Sequence, residues 1–166
     1  IPYSQASKKE ELEEFLDQLE RSSTGGKIHT RMIINISVIG EDFPTVPDLL
    51  NLGSSAKETY SPVKGEVTLV NLWMSYFIDC QEAIAHHQEM MVRNSEQWKG
   101  KVRVVGISTD YDIELLKEQI KERKLDRVDH YQILNSYQFD ISKFGDTDRP
   151  HVFLLDKNGQ VAYSGK

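Results

Sequence analysis

Cysteine is nearly missing from this sequence: Cys80 is the only one in 166 residues. A single thiol cannot close an internal disulfide, and it leaves a cysteine-rich zinc site without ligands. Long apolar runs are missing as well. No stretch approaches the ~20 residues that cross a bilayer, so no membrane span is expected. No signal-peptide pattern opens the chain, which begins at Ile1 rather than Met; compartment stays open, with the cytoplasm as default. Positive charge is in deficit, with 20 Lys and Arg against 26 Asp and Glu and a net charge of −6. That excludes a general nucleic-acid binder, whose phosphate contacts need a basic face. What remains is ordinary: 39% apolar and 28% charged residues, and enough length for one domain with its own core.

Two parts separate along the chain. Residues 1–27 read as an N-terminal helix with a Gly/Ser linker, and residues 28–166 as the main domain. Within the first part, Leu12, Phe15, Leu16 and Leu19 fall at i, i+3, i+4 and i+7, one stripe of a helix over residues 7–22. Ser7 and Glu10 have capping-box spacing, and Ser22-Ser23-Thr24-Gly25-Gly26 ends the helix. The plain expectation is a helix packed on the domain edge, with a partner-binding helix as the alternative.

In the second part, Ile33, Ile34, Ile36, Val38 and Ile39 are β-branched or strand-like and predict an edge or connecting strand. Residues 49–52 and 59–60 flank Gly53-Ser54-Ser55 as a small hairpin. An alternation follows: a strand over 67–73, a helix over 79–98, a strand over 102–108 and a helix over 113–124. Ile133 and Leu134 make a short strand, with a helical turn near Ser142. Strands over 152–155 and 161–163 enclose the turn Asp156-Lys157-Asn158-Gly159. Strand–helix–strand–helix and then a hairpin predicts an α/β mixed sheet with a parallel centre and helices on its faces.

Four segments carry a resemblance to the thioredoxin superfamily, nearest to its single-domain thiol–disulfide oxidoreductases and redoxin-type proteins. Gly65 to Tyr76 is similar to the strand that leads into the active-site helix, and Val104 to Asp110 to the next parallel strand. Phe144-Gly145 sits at an aromatic-glycine pair, and Arg149-Pro150-His151-Val152-Phe153 matches the proline-led strand. The resemblance spans roughly residues 40–165. It implies a thioredoxin-like fold with an N-terminal helical extension, and a cis-proline beside the site.

The motif implied by the resemblance is Trp, two residues, an aromatic, then Cys-x-x-Cys. Here the stretch reads Trp73-Met74-Ser75-Tyr76-Phe77-Ile78-Asp79-Cys80, so Phe77 stands at the first cysteine and Cys80 at the second. The first cysteine attacks because helix-terminal amides stabilise its thiolate. The second resolves the mixed disulfide. Phenylalanine does neither.

Cys80 shares its helical face with Ala83, Ile84, His87 and Met91, an apolar stripe expected to be buried. Burial and the neighbouring Asp79 both raise a thiol pKa, which favours a structural cysteine. An enzyme remains the alternative, either a monothiol oxidoreductase or a one-cysteine peroxidase using Cys80, with Arg149 approaching the thiolate. Against the peroxidase, Phe77 and Gln81 replace the threonine and proline that resemblance to peroxiredoxins requires.

Asp79 and Glu82 have capping-box spacing, which makes Asp79 the expected N-cap of the helix. His86 and His87 lack a third ligand, so no metal and no cofactor are expected. Tyr76, Phe77 and Ile78 would form an exposed apolar tip if Phe77 does not fold inward. The chain stops at Lys166, where the resemblance leads one to expect a further helix; the N-terminal helix is the alternative cover for that sheet face. The expected function is redox-inactive binding of a protein or peptide through Tyr76, Phe77, Ile78, Arg149 and Pro150. No feature specifies an oligomeric state.

Overall fold

A computed structural model describes residues 39–134 and 149–165. The expected N-terminal helix, most of the strand at 33–39, the turn near Ser142 and Phe144-Gly145 lie outside the described residues.

Among the described residues seven strands form one sheet: β1 (Val46–Asn51), β2 (Lys57–Tyr60), β3 (Val67–Trp73), β4 (Val102–Ser108), β5 (Asp129–Ile133), β6 (His151–Leu155) and β7 (Val161–Gly165). Their order is β2-β1-β5-β4-β3-β6-β7. β3, β4 and β5 run parallel, while β6, β7, β1 and β2 pair antiparallel at the two sides. Val67–Trp73 and Val102–Ser108 have the bounds expected from their apolar runs, because both strands are covered on both faces along most of their length.

Three helices occur among the described residues: α1 (Ile78–Arg93), α2 (Ser95–Trp98) and α3 (Ile113–Glu122). α1 returns the chain from β3 to β4, and α3 from β4 to β5. The continuous helix expected over 79–98 is broken at Asn94, whose side chain donates to Met90 O at 2.8 Å. Asp112 caps α3 by accepting from the amides of Glu114 and Leu115.

The sheet separates two cores. On one face Val70, Leu72, Val105, Ile107 and Phe153 pack with Phe43 and the β1–β2 hairpin. On the other, Trp73 and Val104 pack against Cys80 and Ile84 of α1, Leu116 of α3, and Leu125. Gly106 lies under this second core. A Cβ there would stand 3.0 Å from Ile84 Cδ1 and from Trp73 Nε1, so only glycine lets α1 approach β4 so closely.

Candidate functional site

The parallel strands β3 and β4 end side by side, and the segments that leave them meet there. Trp73 O accepts from the Thr109 amide at 3.0 Å. The Asp110 carboxylate accepts from the Ser75 amide at 3.0 and 3.2 Å and from the Ser108 hydroxyl. Gln81 Nε2 donates to Ser75 O at 2.6 Å and to Gln119 Oε1 at 3.2 Å. Gln132 Nε2 donates to Asp110 O at 3.0 Å. Ser75, Gln81, Asp110 and Gln132 are all buried, and together they fix the backbone from which α1 starts.

The third segment is the turn before β6. Its Arg149–Pro150 peptide bond is cis. β6 pairs His151 with Leu72 of β3, which sets Pro150 beside the end of β3. Arg149 Nε donates to Thr109 Oγ1 at 2.9 Å. The proline turn, the end of β4 and the head of α1 therefore form one corner of the molecule.

At that corner the polar groups lie inside and the apolar ones outside. Tyr76 is 49% exposed, Phe77 44% and Ile78 65%, so Phe77 does not fold inward over the sheet. Tyr76 and Phe77 stack edge to face with centroids 4.8 Å apart. Phe77 is the N-cap of α1, with extended backbone and no side-chain cap bond. The expectation for Asp79 is thus corrected. The helix begins before it, because the Phe77 carbonyl accepts the first helical bond, from the Gln81 amide at 3.0 Å. Asp79 contributes only its charge to the first turn.

Cys80 is free and 0% exposed. Burial pushes its thiol pKa up. A hydrogen bond from the Met74 backbone and the Arg149 charge pull it down, while Asp110 and Asp79 push it up again. The net direction is upward, which favours the neutral thiol over the nucleophilic thiolate.

The histidine pair has another use. His87 Nδ1 lies 2.6 Å from Asn71 Oδ1, and Asn71 Nδ2 donates to Val105 O. His87 has its pKa lowered by burial and then by His86. No group of three potential metal ligands occurs among the described residues. A concavity of about 870 Å³ lies away from the corner, between α3 and β5, and includes Arg103, Lys117, Lys121 and Asp129. Its charges are mixed, and Arg103 is already paired with Glu66 and Asp129.

Sequence reasoning brought Tyr76, Phe77, Ile78, Cys80, Arg149 and Pro150 to this corner. It missed Ser75, Gln81, Asp110 and Gln132. Asp110 carried a readable signal, a carboxylate two residues past the end of an apolar strand. Gln81 carried one too, as a polar residue beside the buried stripe of α1.

A mixed sheet with a parallel centre, a helix launched from one of its parallel strands and a proline turn against that helix define a thioredoxin-like fold. Solved structures bear this out. The chain is similar to the thioredoxin domain of a thiol-disulfide oxidoreductase from Bacteroides vulgatus, with a TM-score of 0.65 and 18% identity over 76% of this chain and 86% of that one. It is similar to the C-terminal domain of a putative thiol-disulfide oxidoreductase from Bacteroides thetaiotaomicron, with a TM-score of 0.63 and 22% identity over 76% and 85%. A peroxiredoxin-like protein from Aquifex aeolicus gives a TM-score of 0.59 and 18% identity over 76% and 74%. At these identities the likeness is one of fold. No family profile matches the chain, and no curated protein matches it in sequence.

Proposed function

We propose that this protein is a redox-inactive thioredoxin-fold binding module. It takes an extended protein or peptide segment across Tyr76, Phe77, Ile78 and the Arg149–Pro150 turn. A fold does not by itself assign an activity; the inversion at the head of α1 carries this reading. Dithiol chemistry needs an exposed, acidic thiol there. Instead Phe77 is exposed at the attacking position, and the one thiol is fully buried with its pKa raised. Three neighbouring apolar side chains at a turn make a contact patch, and an extended chain laid beside it gains affinity from backbone pairing.

One observation favours a second reading. The Met74 hydrogen bond and the Arg149 charge both stabilise a Cys80 thiolate, as a monothiol oxidoreductase or one-cysteine peroxidase requires. Alkylation of Cys80 between about pH 5 and 9, native against unfolded, separates the two. The binding module gives a native rate far below the unfolded one throughout. A fast native rate with a midpoint well under the ~8.5 of a free thiol overturns it in favour of the enzyme. For binding itself, Ile78→Asp is expected to abolish capture of extended peptides selected on the wild-type protein.

A further inference from the structure

We propose that residues 7–22 dock as an amphipathic helix in an apolar groove of their own chain, beside α1. The groove encloses about 610 Å³, with Leu69, Leu154 and Tyr163 on its sheet side and Ala83, Met90 and Trp98 among its other walls. Register makes the sheet side one continuous row: Leu69 pairs with Val104 and with Leu154, and Leu154 pairs with Tyr163. The row lies on the same face as Trp73, four residues along β3, which α1 buries. Leu69 and Leu154 are only half-buried, and Tyr163 is 48% exposed. A central sheet face rich in apolar side chains is ordinarily covered.

The path of the chain names the cover. Gly40 N donates to Val161 O, Val161 N donates to Glu41 O, and Asp42 bridges to Gln160. The described chain therefore begins against the start of β7, the strand that carries Tyr163 to the groove. The 38 residues before it set out from the groove's own border. Residues 23–38 reach up to about 50 Å when extended, whereas the three steps from β4 to β7 span only about 15 Å. Tethering at this distance gives the segment a high local concentration.

The sequence supplies the matching surface. Leu12, Phe15, Leu16 and Leu19 form a single stripe, and the remainder of the segment is dominated by charge. That suits a groove open on one side. A lone helix of about 16 residues is marginal in water and gains its stability by burying such a stripe.

The protein has two tryptophans, Trp73 in the core and Trp98 at the groove, so acrylamide quenching reports on Trp98. In the full chain, Leu12→Asp with Leu16→Asp is expected to raise quenching and red-shift the emission. Glu10→Gln with Glu14→Gln, on the opposite side of the helix, leaves both unchanged. Paired cysteines decide the matter even if the aspartates unfold the protein. Leu16→Cys with Tyr163→Cys is expected to close a disulfide within the monomer on mild oxidation, and Glu14→Cys with Tyr163→Cys is not. Cys80 stays out of the reaction because it is buried. A crosslink between two chains assigns the groove to a second copy and overturns the proposal. So does a Trp98 signal indifferent to the aspartates with no crosslink formed, the outcome for an open groove or another partner.

Discussion

The head of α1 and its flank both present apolar surface, and they do so for different reasons. At the head, Tyr76, Phe77 and Ile78 stand on a backbone already held from beneath, with the Ser75 amide on Asp110 and the Phe77 amide on Met74 O. The main chain there is anchored without burying these side chains. At the flank, Leu69 and Leu154 continue a row whose next members along the strands are buried, so exposure there is incomplete packing. Apolar area on a well-held turn is available to a partner. Apolar area on a sheet face calls for a cover.

Two isoleucines of α1 break this comparison most sharply. Ile84 is fully buried and Ile78 is 65% exposed. Ile84→Ala is expected to lower stability by about 3 kcal/mol, as large-to-small core changes do. Ile78→Ala is expected to stay within about 0.5 kcal/mol while weakening peptide capture. Urea titration read by circular dichroism and a binding assay on both variants separate the roles; an Ile78→Ala loss comparable to that of Ile84→Ala removes the distinction.

The support beneath the head comes next in size. Asp110→Ala strands the buried Ser75 amide and Ser108 hydroxyl, and about 2 kcal/mol is expected to be lost on unmaking bonds to a charged acceptor. Hydrogen exchange at the Ser75 amide should accelerate beyond the global change. Gly106→Ala pushes α1 away from β4 and is expected to cost about 1 kcal/mol or somewhat more, by overpacking. Thermal unfolding reads that shift.

The smallest effects are those of pH. Burial lowers the pKa of His130, whose Nε2 sits 2.7 Å from Leu125 O, and that of His87. Between those lowered values and the ~6.5 of an unfolded histidine, the unfolded chain binds more protons, so stability is expected to fall as pH drops below about 6.5. Cys80 acts at the other limit. Its raised pKa keeps the proton on the folded chain, so stability is expected to decline as pH rises past the ~8.5 of an unfolded thiol. Urea midpoints across pH read both limbs, and Cys80→Ala should flatten only the alkaline one.

Much of the fold was legible because its strands obey simple patterns. Val67–Trp73 and Val102–Ser108 are mostly apolar runs, and Asn158-Gly159 marks the last hairpin. β5 was seen only at its end, because Asp129-His130-Tyr131-Gln132 is polar in composition. Its burial comes from partners elsewhere in the chain, such as Leu125 O for His130 and Asp110 O for Gln132. For the same reason the corner was only half legible. Single residues such as Phe77 and Cys80 announce themselves through a motif. The network of Ser75, Gln81, Asp110 and Gln132 exists only once three segments converge. Asp79 was misplaced by a local rule, since its carboxylate spacing fits a cap while the hydrogen bond that starts the helix is made two residues earlier by a phenylalanine carbonyl.

The strand order also governs how the protein is made. β3 stands inside the sheet, yet one of its neighbours, β6, follows it in the chain only after β4 and β5. β1 likewise waits for β5. Such pairings between distant parts of a chain slow folding. A nascent chain that has emerged only as far as α3 holds β3 with an unpaired edge and β1 without β5. The sheet closes only once β6 has been made, and until then that open edge is what chaperones and aggregation compete for.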